Sequence, residues 1–308
     1  MTRVRGAAAV LVAGVVAGLL ASCGSGGNAT ATSSAPPTPS ASSTGSQASA
    51  DPSSHASGSV PRPSHVVIVV EENHSTGNVI GNAAAPYINS LASQNAFFTD
   101  SAAVAHPSEP NYAALFSGST QGLTDDSCPH TYVAGNLGAQ LAAAGQTFAG
   151  YSESLPSVGF LGCTAGDYAR KHAPWTNFPS VPASANLPFT AFPTDYSTLP
   201  TVSIVVPNLA NDMHNGSVHT GDTWLRDNLD AYAQWATTHN SLLIVTWDED
   251  DDHSGNKIPT IFAGAHVKPG RYSEHIDHYR VLRTIEAAYG LEPLGHAAET
   301  QPITDVWS

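Results

Sequence analysis

A mostly parallel α/β sheet with helices on both faces is the architecture this sequence predicts. Two observations carry that expectation. Short Val- and Ile-rich runs alternate with longer stretches of helical periodicity, and several of those runs end in carboxylates, amides and imidazoles. The apolar runs are His65–Val70, Gln146–Tyr151, Val202–Val206, Leu242–Thr246 and Pro259–Ala263. Between them Ala85–Asn95, Asn111–Phe116, Gly138–Ala144, Asp222–His239 and His278–Tyr289 read as helices. In the long helix Leu225, Leu229, Tyr232 and Trp235/Ala236 form one stripe at three- to four-residue spacing. Val281, Leu282, Ile285 and Ala288/Tyr289 repeat the pattern in the last helix, and both stripes read as faces laid on the sheet.

The start of the chain has a different character. Arg3 and Arg5 precede an apolar run from Ala7 to Ala21 that contains Gly14 and Gly18. The run is short of the ~20 residues that span a bilayer and suits the core of a signal peptide. Its end, Leu20-Ala21-Ser22-Cys23, resembles a bacterial lipobox, which implies a signal peptide over residues 1–22 and a lipidated Cys23 as membrane anchor. A plain secretory signal cut nearby is the alternative. From Cys23 to about Pro63 the chain consists mostly of Ser, Thr, Ala, Gly and Pro, too poor in large apolar side chains to offset the entropy of ordering, so 23–63 reads as a flexible tether. Residues 64–308 then read as one sizeable domain.

Acidic residues outnumber basic ones 25 to 11, for a formal charge of −14. That balance excludes a nucleic-acid binder of the basic-stripe type and electrostatic adhesion to anionic lipid. In an exported chain Cys128 and Cys163 are expected to pair as a disulfide, and neither has metal-ligand spacing. Gly-x-Ser-x-Gly, His-Glu-x-x-His, P-loop and dinucleotide-binding fingerprints are absent from the sequence.

Within the domain, His106-Pro107-Ser108-Glu109-Pro110-Asn111-Tyr112 places a hydroxyl at the start of a helix. Serine is a preferred N-cap, proline is tolerated in a first helical turn, and the run from Tyr112 to Phe116 continues the helix. Ser108 is thereby expected where backbone N–H groups and the helix dipole favour an attacking alkoxide and an incoming phosphate. An ordinary capped helix is the bland alternative. The acidic groups cluster at strand ends, the edge where such sheets bind ligands. Glu71-Glu72-Asn73-His74 follows the first strand, Asn211-Asp212-Met213-His214 comes shortly after the third, and Asp248-Glu249-Asp250-Asp251-Asp252-His253 follows the fourth. So many like charges on one edge imply a hard divalent cation. Asp250–Asp252 can equally be a solvated loop.

Taken together, these motifs resemble the bacterial phosphoesterase family of acid phosphatases and phospholipases C, within the alkaline-phosphatase-like superfamily, and most closely its secreted acid phosphatases. The likeness also takes in Tyr168-Ala169-Arg170-Lys171-His172-Ala173-Pro174 and His278 to Glu286, and Ser-x-Pro-Asn is similar to the Thr-x-Pro-Asn nucleophile of nucleotide pyrophosphatases. By that resemblance the fold is an alkaline-phosphatase-like sheet. Glu72, Asn73, Asp248 and Glu249 would hold the metal and, with Ser108, present the nucleophile. His106, His172 and His214 would line the phosphate pocket, with His106 or His214 as general acid. Asn111 would donate to a phosphate oxygen, with Lys171 and Arg170 as looser assignments, and Asp212 and His278 match positions of a second metal. The run of acids after Glu249 departs from the glycine-rich continuation expected there.

The implied activity is an exported, metal-dependent acid phosphatase acting on small-molecule or lipid phosphomonoesters through a phosphoserine on Ser108. A phosphodiesterase of phospholipase C or nucleotide type using the same site is the alternative, and a binding protein on an inactive scaffold is a third reading. The oxygen-rich donors suit calcium, magnesium or manganese, and the histidines also suit zinc. A sulfatase is disfavoured, because the cysteine that such enzymes convert to their nucleophile is missing from the Ser108 motif.

Overall fold

In a computed structural model, residues 59–308 are described. The signal peptide, Cys23 and nearly all of the tether expected from the sequence lie outside the described residues. Among the described residues the twelve strands are β1 His65–Glu71, β2 Ala96–Phe98, β3 Ser101–Ala102, β4 Phe148–Ser152, β5 Thr164–Ala165, β6 Tyr168–Ala169, β7 Asn186–Pro188, β8 Val202–Val206, β9 Ser241–Trp247, β10 Thr260–Gly264, β11 Gly270–Tyr272 and β12 Ile276–Asp277. The helices are α1 Thr76–Val79, α2 Pro86–Gln94, α3 Ser108–Ser117, α4 Leu137–Ala143, α5 Val218–Ala236 and α6 His278–Tyr289.

Eight strands form the main sheet in the order β11-β2-β10-β9-β1-β8-β4-β7. All of its pairings are parallel except those of β10, which runs against both β9 and β2. The alternation of side chains along β1 explains the layering. Val66, Ile68 and Val70 face one core with α3, α4 and α6, whereas Val67 and Val69 face the other with α1, α2 and α5. Both faces are therefore covered, and the central strands read as continuous apolar runs because neither side meets water. Gly150 in β4 is needed for that packing, since a Cβ there would come within 2.1 Å of the Trp175 ring.

The expected strands and helices are all present, with ends moved by a few residues. The long helix α5 begins at Val218 rather than Asp222, and α3 begins at Ser108 rather than Asn111. Pro107 holds the cap position, Pro110 sits in the first turn where its missing N–H costs nothing, and the Ser108 hydroxyl does not cap the helix. Packing against the domain also includes described residues before 64. Val60 packs on the core, Arg62 lies over the Tyr289 ring, and Tyr289 donates a hydrogen bond to the Pro63 carbonyl at 3.0 Å.

Candidate active site

Parallel pairing puts the carboxyl ends of β1 and β9 side by side, with Glu71 opposite Trp247. Each chain then leaves the sheet carrying its acidic residues: Glu72 and Asn73 from β1, Asp248 and Glu249 from β9. Asn73 turns the chain with a left-handed φ of 48°, which asparagine tolerates, and its backbone N–H donates to Asp248 Oδ1 at 3.0 Å. The two strand ends are thus joined through Asn73 and Asp248.

Into this edge α3 delivers Ser108, which is buried. Its hydroxyl lies 3.1 Å from Glu72 Oε2, 3.0 Å from Glu249 Oε1 and 3.5 Å from Asn73 Oδ1. His106 binds the other oxygen of Glu249 through Nδ1, lies 3.4 Å from Asp250 and 3.3 Å from Asp252, and keeps 36% of its side chain exposed. Four residues beyond Ser108, on the same face of the helix, Tyr112 donates its hydroxyl to Glu72 Oε1 and stacks on the His172 ring with centroids 5.1 Å apart.

A second group lies on the far side of Glu72. Glu72, His172 and Asp212, all buried, offer ligand atoms that lie within 4.8 Å of one another. His172 Nε2 approaches Glu72 Oε1 to 3.1 Å and Nδ1 lies 3.5 Å from Asp212 Oδ2. His172 Nε2, Asp212 Oδ2 and Asp248 Oδ2 are buried without a hydrogen-bond partner. Burial, then Asp248 and Asp212, pushes the Glu72 carboxyl well above the usual carboxylate range. Burial and Glu249 carry Asp248 to about 8, burial carries Asp212 to about 7, and burial raises Glu249. Burial also drives the His172 imidazolium well below its usual value, with Lys171 and His214 adding to it. Orphaned, desolvated acids beside a neutral imidazole fit a bound divalent cation, which would supply the missing partner of each.

Several residues are placed differently from the sequence-based expectation. Asn111 braces the loop before it instead of pointing at a phosphate: Oδ1 accepts from the N–H groups of Val104 and Ala105, and Nδ2 donates to the carbonyls of Ala105 and Pro107. His278 is buried, but its Nε2 is 2.8 Å from the Asp248 carbonyl, so it steadies the β9 turn and stands apart from the Asp212 group. His172 joins the acids rather than an anion pocket. Arg170 is spent on the loops, with bonds to the carbonyls of Leu161 and Thr176 and to Asn177. Asp250 is buried rather than solvated and accepts from the N–H groups of Asp252, Ser254 and Asn256, which shapes the loop that the acidic run forms. His214 stands exposed at the rim, 6.1 Å from the His172 ring. Lys171 pairs with Asp126 at 2.7 Å; burial works against its charge, but Glu72, Asp126 and Asp248 outweigh it and raise its pKa. Two neighbours were not singled out from the sequence, Tyr112 and Asp126. The i, i+4 spacing from Ser108 marks Tyr112, whereas nothing local marks Asp126.

Cys128 and Cys163 form a disulfide with Cα atoms 5.8 Å apart, as the pairing of the two domain cysteines predicts. Among the described residues no helix is long and apolar enough to cross a membrane.

The mostly parallel eight-stranded sheet, covered by helices on both faces, has the α/β fold of solved members of the alkaline phosphatase superfamily. A protein of that superfamily from Vibrio parahaemolyticus superimposes with a TM-score of 0.54 over 80% of this chain and 72% of that one, at 12% identity. The description "Phosphoesterase family" belongs to the family model that matches residues 82–292, and the chain is a member of that family. A phosphatidylinositol-3-phosphatase from Mycobacterium tuberculosis is 56% identical over 82% of this chain and 85% of its own length. An acid phosphatase from Aspergillus fumigatus is 32% identical over 67% of this chain, a match that spans 51% of the fungal protein.

Proposed function

We propose that this phosphoesterase is an exported, metal-dependent phosphomonoesterase that works through a phosphoserine on Ser108. The observation that carries the proposal is the buried Ser108 hydroxyl held between Glu72 Oε2 and Glu249 Oε1 at the first turn of α3. Glu72, Asn73, Asp248 and Glu249 would hold a divalent cation beside Ser108, with Glu72, His172 and Asp212 as the second grouping. Bound there, calcium, magnesium, manganese or zinc would draw charge from the phosphoryl oxygens and lower the pKa of the neighbouring hydroxyl.

The remaining chemistry belongs to the chain. Glu249 accepts the Ser108 proton, steadied by His106 on its other oxygen. Ser108 Oγ attacks phosphorus in line and the ester oxygen departs. His214, exposed at the rim and less enclosed by acids than His106, protonates that oxygen and then takes a proton from the water that cleaves the phosphoserine. One general acid supplies roughly 10²–10⁴-fold, far below the up to ~10²¹ reached for monoester hydrolysis, so most of the effect would have to come from the cation that these acids would hold and from donors oriented on the phosphoryl oxygens. A histidine acid favours an acidic optimum.

The phosphatidylinositol-3-phosphatase relative supports a lipid monoester as substrate class. A lipidated Cys23 and the 23–63 tether would hold the 64–308 domain at the outer face of the membrane, and the disulfide suits that oxidising side. The test is a panel of chromogenic monoester, chromogenic diester and inositol-lipid monoester, across pH, with and without chelator, on wild type and Ser108→Ala. Monoester turnover that is lost to chelator and to Ser108→Ala is expected. Near-normal turnover by Ser108→Ala removes the phosphoserine, and a diester preference moves the protein to the phosphodiesterase reading.

A further inference from the structure

Asp126 faces the site yet takes no part in the scheme above. Its Oδ1 accepts from the backbone N–H of Glu109 at 2.9 Å, and its Oδ2 accepts from Lys171 Nζ at 2.7 Å. Glu109 is the neighbour of Ser108 in the first turn of a ten-residue helix, so this N–H belongs to the turn that presents the nucleophile. One carboxylate therefore spans a helix N–H and an ammonium with two oxygens on a single centre, the geometry in which a phosphoryl group would take the same donors.

We propose that Asp126 is a built-in competitor for the substrate's phosphoryl group: it holds Glu109 N–H and Lys171 in the resting enzyme and releases both to the dianion of a bound monoester. The inference rests on the reading of Ser108 as nucleophile. Charge makes the exchange necessary. Glu72, Asp212, Asp248 and Glu249 crowd the site, and with Asp126 in place the Lys171 charge is already neutralised. Position makes the exchange possible. The Asp126 side chain is 27% exposed, and a side-chain rotation suffices to free the donors. The disulfide keeps the competitor close, because Cys128 follows Asp126 by two residues and the Cys163 carbonyl accepts from Arg170 N–H, next to Lys171.

Asp126→Asn keeps an oxygen for the Glu109 N–H and removes the charge. Calorimetric titration of inorganic phosphate into the full chain, with its metal content as purified, should show binding about fivefold tighter than wild type. Loss of a merely structural residue would not strengthen binding, and unchanged or weaker binding overturns the proposal. Should that variant not fold, wild type decides alone. Saturating phosphate should speed hydrogen–deuterium exchange in peptides covering 119–130, and slowed or unchanged exchange refutes the release. Neither measurement requires turnover, so the Asp126 and Ser108 readings fail separately.

Discussion

Removing the hydroxyl of Tyr112 tests how the acidic edge is tuned. Tyr112→Phe keeps the ring that stacks on His172 and deletes the hydrogen bond to Glu72 Oε1, a contact buried on both sides. A hydrogen bond to a charged group contributes about 1.5–3 kcal/mol, and loss of a partner that orients a metal ligand typically weakens metal affinity by about 10–100-fold. Glu72 retains Ser108 and the approach of His172, so the lower end applies, about tenfold, equivalent to ~1.4 kcal/mol. The assay strips wild type and variant with chelator, returns divalent cation in steps, and follows hydrolysis of a chromogenic monoester. The half-saturating cation concentration should rise about tenfold, while activity at saturating cation recovers most of the wild-type value. Identical titration curves would show that Glu72 does not depend on Tyr112 for its charge or orientation, and would refute the argument.

Two further predictions concern stability. Glu286 in α6 is raised to about 7 by burial, offset in part by the Leu294 N–H and Arg283. Because its folded value lies above the unfolded one, the stabilisation is complete below about pH 4.5 and is lost as pH rises through 7, so Glu286→Gln should match wild type at pH 4.5 and exceed it by about 1.5 kcal/mol at pH 8, after allowance for solvent screening. Urea denaturation at the two pH values reads the difference, and an equal margin at both would contradict the assignment. Replacing Cys128 and Cys163 together by serine opens a loop whose ends are 35 residues apart, with an expected cost of about 4 kcal/mol and a fall in Tm of roughly 8–15 °C. A scanning-calorimetry shift of a degree or two would mean that the loop is held by its other contacts.

The central sheet was legible because its strands are covered on both faces. Val66–Val70 and Leu242–Val245 are uninterrupted apolar runs and Val202–Val206 is broken only by the buried Ser203, and they lie within β1, β9 and β8. The short strands were not legible. β2 is three residues at the end of a helix, β7 includes Pro188 at the sheet edge, and no composition signal makes β10 run against its neighbours. In the site, Glu72, Asn73, Asp248 and Glu249 could be found from their place after strands, and Ser108 from the start of its helix. Asn111 was misplaced because carbonyls four to six residues back capture its amide, a local competition that spacing does not reveal. His278 was misplaced because its ring meets a carbonyl 30 residues away. Asp126 went unmarked because its cation lies 45 residues further along.

The neighbours of β1 come from late in the polypeptide: β8 begins at Val202 and β9 ends at Trp247, just before Asp248 and Glu249. A ribosome that has translated as far as Trp247 has therefore produced the alcohol but neither of the two acids after β9. On the proposed phosphoserine scheme, copies that stop before Asp248 carry the alcohol without those two acids and should not turn over a monoester.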